Sequence, residues 1–570
     1  MASENSGIMV SFAVILLLTA GAFAFIGATD GGDNEHGTTA TLGNIPAGAI
    51  PVSSAADLAR VGTGQSSGGH VWSLGAYYYQ TTDITLTGLF TPIGVLMSGN
   101  PAVPGNSPFT GTYDGQYFRI FNMAVTTTGS STNQNVAAAM FNNISGATIK
   151  GVNLVNANII GGLYGAGGIA AYALNSTITD CTVSGLVSRN YTGSNTGGAV
   201  KEAGGIVAVA SNVTIERCVN YATVHHYAGT SGGIAGRMDT NGFLTINQSA
   251  NHGSVTSNMN SSATGLGSVS GGIVGTAAYS SSSVLTIRDC YNAGNISSHN
   301  ASSSTGGNPA SGGILGGIQL AGGSQTIINC YNVGTITSNR SNQSGNALGS
   351  GGIIGMVDAV NNNPNPSVVN CYSLQGTVYR YGVLTDALIG RGTGTTDGSS
   401  SPARLTNPNQ SSGIRSDSLM KPSQAGAVAG SSVYYAGTTN GSIPGWNFTS
   451  VWIIDPSLNN GYPRLRAVEI SITSSPSNTA VIVGDTFTYT PTVSMSPAQI
   501  SVSGASWLSV NGSTVVGTPT VAGTYTVTVT ATVGSKTATQ TFTITVHAKL
   551  AFQSMPTGSI LISPAQGVLA

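Results

Sequence analysis

Five cysteines, two adjacent histidines and a thin scatter of acids are the residues of this chain whose types could do chemistry. Cys181, Cys218, Cys290, Cys330 and Cys371 could serve as disulfide partners, metal ligands or nucleophiles. Metal binding needs C-x2-C spacing or histidines at ligand distance, and the sequence has neither. Disulfides suit an exported chain, yet five is an odd number, and parallel Cβ vectors in neighbouring strands suit the bond poorly. His225-His226 tempts as a metal pair, but adjacent strand residues point to opposite faces. Asp30, Asp33, Glu35 and His36 lie together in a polar tract that reads as a solvated linker. Glycoside hydrolysis needs two carboxylates about 5–9.5 Å apart. Asp180, Glu216 and Asp289 stand beside cysteine positions, on separate repeats, with Gln248, Asn329 and Asn370 in the equivalent slots, which is how turn formers are distributed. Asp114 sits in a tight-turn signature, Tyr113-Asp114-Gly115-Gln116. The chain has no Walker-type phosphate-binding loop and no H-E-x-x-H. These residues give no catalytic, cofactor or metal site.

One modification signal is abundant, fourteen N-x-S/T sequons. Asn143, Asn190, Asn260, Asn300, Asn339, Asn342, Asn409 and Asn440 are the candidate acceptors, with Asn300 and Asn342 expected on exposed loops.

The elements that must position these side chains repeat. A Gly-Gly-Ile-x-Gly block recurs at Gly232, Gly271, Gly312 and Gly351, with looser copies at Gly167 and Gly204, in steps of 37, 28, 39, 41 and 39 residues. A second block follows each: TITDCTVSG at 177–185, TIERCVNYATV at 214–224, TINQSANHGSV at 245–255, TIRDCYNAGNI at 286–296, TIINCYNVGTI at 326–336 and VVNCYSLQGTV at 368–378. All five cysteines fall on one position of this block, and Ser249 replaces cysteine once. A small, mildly apolar residue stacked on itself explains that position, so the cysteines are expected to form a structural column. Apolar and polar residues alternate at period 2, which is strand patterning. Glycine pairs allow close approach of neighbouring turns, and segments such as His299 to Ser311 read as loops. Stacking one such unit on the next buries an apolar face that no unit buries alone. The expectation is an all-β chain: a right-handed parallel β-solenoid (β-helix), with one or two rungs per repeat, followed by an Ig-like β-sandwich.

The Gly-Gly-Ile-x-Gly and D/N-C-Y-N-x-G blocks resemble the GLUG motif repeats of bacterial and archaeal surface proteins, commonly adhesin-like. The segments SSAADLARVG at 53–62, YYYQTTDITLTG at 77–88, TPIG at 91–94, FTGTYDGQYFRIFNMAV at 109–125 and MFNNISGATIKGVNLVNANI at 140–159 resemble the lead-in to such repeats. GWNFTSVW at 445–452 and NNGYPRL at 459–465 resemble their exit. Further on, SWLSVNGSTVVGTPTVAGTYTVTVTA at 506–531 resembles Ig-like modules strung along prokaryotic surface proteins, with Trp507 the natural core plug and no cysteine pair. The resemblance implies a surface role.

The expected organisation is a signal peptide or retained membrane anchor at 1–28, a polar linker at 29–50, the solenoid at 51–390, an irregular closing segment at 391–468, the Ig-like module at 469–547, and a tail or truncated further module at 548–570. Residues 8–28 form an apolar run of 21 residues without a charge, and a bilayer takes about 20. Only 6% of residues are charged and the formal net charge is −1, against about 25% charged in ordinary domains. So few cations cannot neutralise a row of phosphates, which excludes nucleic acid, and contact with membrane is expected only through residues 8–28. The function expected is a non-catalytic extracellular protein, adhesin-like or a cell-envelope component, needing no cofactor. Its partners would be cell-surface or envelope components, glycans or other cells. Two other readings stay open: a carbohydrate-active β-helix enzyme, and a self-associating filament or sheath subunit. N-terminal sequencing of the native protein should find a mature terminus near Ala24 if residues 8–28 are cleaved, or an intact start if they anchor it; a cytosolic pool of full-length chain would contradict export.

Overall fold

The computed structural model describes residues 45–95, 107–127, 137–190, 202–390 (interrupted at 228, 240–241, 260–265, 278–281, 302–307, 320–322, 341–348 and 359–365), 412–415 and 446–549 (interrupted at 449, 454–458, 467–469, 471, 473, 494–497 and 534–535). The apolar run 8–28, the acidic tract at 30–36 and the tail from 550 lie outside the described residues. Among the described residues no helix is long and apolar enough to cross a membrane.

Each repeat makes one turn of a parallel β-solenoid. One turn runs through Val284–Arg288, Tyr291–Asn292, Ile296–Asn300, Asn308–Gly312 and Leu315–Gln319. The next runs through Ser324–Ile328, Tyr331–Asn332, Ile336–Arg340, Gly349–Gly351 and Ile354–Asp358. They pair in parallel with Leu285 opposite Gln325, Tyr291 opposite Tyr331, Ile296 opposite Ile336, Ala310 opposite Gly349 and Leu315 opposite Ile354. This register decides for one rung per repeat. The T-I segments form a ten-stranded parallel sheet beginning at Ile50–Val52 and ending at Ser367–Val369. Of the segment from His299 to Ser311, expected as one loop, both ends are strand, since pairing continues to Asn300 and resumes at Asn308; 302–307 lie outside the described residues.

Inside, like stacks on like. Ile149, Ile178, Ile215, Ile246, Ile287 and Ile327 form one wholly buried column, and Ile206, Ile234, Ile273, Ile314 and Ile353 another. Each such side chain contributes about 1.5–3 kcal/mol of burial. The registers place Cys181, Cys218, Ser249, Cys290, Cys330 and Cys371 in line, all wholly buried. Beside them runs a column of side-chain amides. Asn220 Nδ2 donates to Asn251 Oδ1 (2.8 Å), Asn251 to Asn292 (2.7 Å), Asn292 to Asn332 (2.7 Å), and Asn332 to Ser373 Oγ (3.2 Å). Each amide also donates to the carbonyl two residues on: Ala222, Gly253, Gly294 and Gly334. The second glycine of each pair leaves room for this column, and the first lies against backbone. A Cβ on Gly272 would lie 2.0 Å from Gly313 O and 2.6 Å from Asn292 Cγ, and one on Gly271 would lie 1.8 Å from Val274 O.

A short helix, Ala55–Arg60, follows the first strand of the ten-stranded sheet, N-capped by Ser54 and burying Leu58; among the described residues it and a 3-10 turn at Asn459–Gly461 depart from the all-β expectation. Of the closing segment, Ser412–Arg415 adds a parallel strand beside Cys371–Leu374, while Trp446 to Leu465 packs on the solenoid's flank. The C-terminal module is a sandwich. One sheet holds Ala480–Ile482, Lys536–His547, Gly523–Val533 and Gln499–Ser503; the other holds Phe487–Tyr489, Thr514–Gly517 and Leu508–Asn511. Its core is Phe487, Val515, Val527, Val529 and Ile544. Trp507 is not the plug: it is half-buried at the core's edge, edge-on to Phe487 and Tyr525.

Asn292→Ala should lower stability by about 2–4 kcal/mol, because the amide of Asn251 loses its acceptor while Gly294 O and Asn332 Oδ1 lose a donor in a dry interior. Cys290→Ser repeats the replacement the chain already carries at Ser249 and should cost about 1.5 kcal/mol or less. Guanidinium unfolding of the two variants checks this; equal losses would show that the amide column holds nothing special.

Candidate functional site

Of the acids beside the cysteine column, Asp180 and Glu216 meet one arginine, and Asp289 meets Asn329 and Trp452. Asp180 takes Arg217 Nε (2.8 Å) and Nη2 (2.9 Å), and Arg217 Nη1 reaches Glu216 Oε2 at 2.8 Å. The corner slot before Cys218 is therefore Arg217, with Glu216 one residue earlier, which corrects the slot assigned to Glu216. Asp180, Arg217, Gln248, Asp289, Asn329 and Asn370 all hold positive φ, between 46° and 57°. That left-handed turn favours Asn and Asp and penalises most other side chains. Asp114 binds Lys150 Nζ at 2.9 Å and accepts from Tyr77 Oη at 3.1 Å.

A second charged cluster, not singled out in the sequence, joins three turns. Arg237 Nε lies 2.9 Å from Glu202 Oε1 and Nη1 lies 3.3 Å from Asp239 Oδ1, while Tyr172 Oη donates to Asp239 Oδ2 at 3.1 Å. No motif marks it, since Tyr172, Glu202 and the Arg237–Asp239 pair come from three different turns. The two histidines face apart. His226 is wholly buried with Nε2 3.4 Å from Arg189 Nη1, whereas His225 lies near Ser188 Oγ and Asn258 Nδ2, and burial pushes its pKa down. The five thiols are free and buried. Burial raises the pKa of Cys181, Cys330 and Cys371 well above the ordinary value, which disfavours the nucleophilic thiolate. Among the described residues no group of three or more His, Cys, Asp or Glu could hold a metal ion.

The candidate glycosylation sites divide. Asn190 and Asn339 are exposed. Asn143 and Asn300 are wholly buried, which corrects the expectation for both; Asn300 ends a strand paired with Met259 and Arg340 and points inward with Ile296 and Ser298. Asn260, Asn342, Asn409 and Asn440 lie outside the described residues.

The flank of the solenoid carries the most developed side-chain arrangement, an aromatic seam. From Cys218 on, the residue after each cysteine position runs Val219, Ala250, Tyr291, Tyr331, Tyr372, and the residue two further runs Tyr221, His252, Ala293, Val333, Leu374. Where one column is aromatic the other is aliphatic. Tyr221 stacks on His252 at 4.9 Å and Tyr291 on Tyr331 at 5.0 Å, with His252 Nε2 2.9 Å from Tyr291 Oη linking the two. Trp446 and Trp452, stacked at 4.5 Å, cover Tyr331. Trp446 Nε1 donates to Asn370 O (2.9 Å) and Trp452 Nε1 to Asp289 Oδ1 (3.4 Å). Asn459 Nδ2 donates to Tyr331 Oη, which donates to Pro463 O. Tyr221, at the open end, stays 47% exposed.

Comparison with known proteins identifies the C-terminal module. Residues 460–547 match the family described as "Putative Ig domain". No curated protein matches the chain. Among solved structures, the chain is similar to a "putative immunoglobulin A1 protease" from Bacteroides ovatus, at 18% identity and a TM-score of 0.40, over 73% of this chain and 91% of that one. It is also similar to a structure named IgA1 Protease, at 15% identity and a TM-score of 0.33, over 60% of this chain and 23% of that one.

Asp289 ties the closing segment to the coils and sets a pH dependence. Burial raises its carboxyl pKa, opposed by hydrogen bonds from Asn329 and Trp452 and by Arg288. The unfolded chain ionises this group near pH 3.9 and the native protein does so only at higher pH, so Asp289 lowers native stability as pH rises through that interval. Asp289→Asn keeps an acceptor for both N–H groups and removes the charge. It should melt at or above wild type at pH 7, with the gap closing as pH falls toward 4. His252, whose pKa burial pulls down to about 4, has the opposite effect in both proteins and cancels from the difference. Tryptophan-monitored melts from pH 4 to 8 check this; an Asn variant markedly less stable at pH 7 would refute it.

Proposed function

We propose that this chain is a non-catalytic protein of the cell exterior, adhesin-like or a component of the envelope, exported through residues 8–28. A rigid solenoid presents its flanks and loops, and the Ig-like module acts as a spacer. The observation that carries this reading is the state of the acids. Asp57, Asp83, Asp114, Asp180, Glu202, Glu216 and Asp239 are each held by an arginine or lysine, Asp289 by Asn329 and Trp452, and Asp386 by the Gly376 N–H. General acid–base hydrolysis needs one carboxyl group able to give up a proton and another able to receive one; carboxylates neutralised by cations are poor at both. The Ig-like module supports an exterior location, and the blocks around Gly232, Gly271, Gly312 and Gly351 support assignment of the solenoid to GLUG-type repeats. A neutral exterior built from Ser, Thr and Asn suits glycan or cell-surface partners better than charged polymers.

A second reading draws on the Glu202, Arg237, Asp239 and Tyr172 cluster, which brings two carboxylates around one arginine. In that reading the solenoid is a carbohydrate-active enzyme. Incubating the purified protein with a panel of plant, fungal and bacterial polysaccharides should release neither reducing nor unsaturated ends. Turnover abolished by Glu202→Gln or Asp239→Asn would overturn the display reading in favour of the enzyme.

A further inference from the structure

The outward column that carries Tyr221 continues toward the N-terminal coils as Ser184, Val155 and Phe121. Register fixes the order: Val183 pairs with Asn220, Leu154 with Val183, and Val155 with Phe121. The inward neighbours Ile120, Leu154 and Val183 are wholly buried, so the column faces out. Two aromatic residues thus stand three rungs apart, about 14 Å at strand spacing, with only Val155 and Ser184 between them. Tyr221 is 47% exposed and backed by His252, stacked at 4.9 Å with 16° between ring planes. Phe121 is backed by Arg119, whose guanidinium lies 5.0 Å from the ring centroid and is neutralised by Asp83.

The rim of this shelf is polar and uncharged. The register shifts between Leu154 and Ala157, so Val155 and Asn156 both oppose Ser184. Asn156 is exposed, its N–H donates to Ser184 Oγ at 3.2 Å, and its Nδ2 donates to Asn122 Oδ1 at 2.8 Å. The bulge turns one amide and one hydroxyl to the edge of a surface bounded by two rings.

We propose that this shelf, from Phe121 to Tyr221, binds a neutral oligosaccharide, one sugar ring lying against each aromatic residue and hydroxyls meeting Asn156 and Ser184. The chemistry selects this occupant. Aromatic rings with a few placed polar groups suit a ligand that is apolar on its ring faces and hydrogen-bonding at its edges. An apolar peptide would strand the amide rim, and an acidic glycan would find no cation that Asp83 has not already neutralised. The inference rests on the display reading and gives it a ligand class.

Binding is read by calorimetry on the full chain, with cello-, xylo-, manno- and chito-hexaose as neutral probes and hexagalacturonate as the acidic one. At least one neutral probe should bind. Tyr221→Ala should weaken that binding at least tenfold, and Ser184→Tyr, which extends the ring ladder into the shelf and removes the acceptor of the Asn156 N–H, should abolish it in a protein that still unfolds cooperatively. Tyr227→Ala, at an exposed tyrosine outside this column, should leave it unchanged. No neutral binding, binding of hexagalacturonate alone, or binding indifferent to both shelf substitutions would overturn the proposal. Turnover of the same probes, measured in parallel, would instead overturn the display reading and leave the shelf as a binding site.

Discussion

The amide column from Asn220 to Ser373 is the constraint around which the five turns it crosses are built, the earlier turns carrying Ile120, Leu154 and Val183 at the same position. An asparagine amide can donate to its own turn and to the next only if consecutive turns sit at strand spacing and place the same residue at the same point. That requirement removes side chains from the segment opposite, which is why a second glycine, not the first alone, is kept at Gly205, Gly233, Gly272 and Gly313, where an added Cβ would strike the amide. It also fixes where the chain may turn. The corner just before the column runs through left-handed residues, and Asn or Asp fills most of those positions. Inward thiols and isoleucines then stack by default, since a register exact for the amides is exact for every neighbour.

With the interior specified this way, the exterior can vary without cost to the fold, and the variation has a pattern. The aromatic seam changes column between the His252 turn and the Tyr291 turn. C-terminal to the change, Tyr291, Tyr331 and Tyr372 lie beneath the segment from Trp446 to Leu465; N-terminal to it, the rings shift outward and Tyr221 remains accessible. One seam therefore serves two ends, holding the closing segment at one and presenting a ring at the other.

Much of this was legible in the sequence, and the limits are physical. The recurrence of Gly-Gly-Ile and of T-I-x-x-C gave the solenoid and the cysteine column, because both record contacts made once per turn. The asparagine of the same block was visible but its role was not, as an amide reads equally well as a loop residue until its neighbours are known. Asn300 shows the matching error: its sequon and polar surroundings suggested an exposed loop, while register carried the strand on and turned it inward. The packing of Trp446 and Trp452 on Tyr331, more than 100 residues away in sequence, leaves no local trace, and neither does the Glu202, Arg237 and Asp239 cluster.

The scarcity of charge deserves a different reading from the one composition alone invites. In a parallel solenoid every side chain faces its counterparts on the turns above and below at about 4.8 Å. Two like charges at that distance repel by about 1 kcal/mol in bulk water and by about 3–4 kcal/mol at an effective dielectric of 20. A charged residue therefore cannot be copied along a column as Thr, Asn or Ile can; it survives where the adjacent turn supplies its opposite. Three ion pairs follow that rule: Asp83 meets Arg119, Asp114 meets Lys150, and Asp180 meets Arg217, each pair on neighbouring turns. The low charge content, 6%, fits this constraint, and so does the pairing of Asp83, Asp114 and Asp180 with cations of the next turn. A solenoid that carried out acid–base chemistry would have to break this pattern at its active site, leaving one carboxylate opposite another at the expense of local stability.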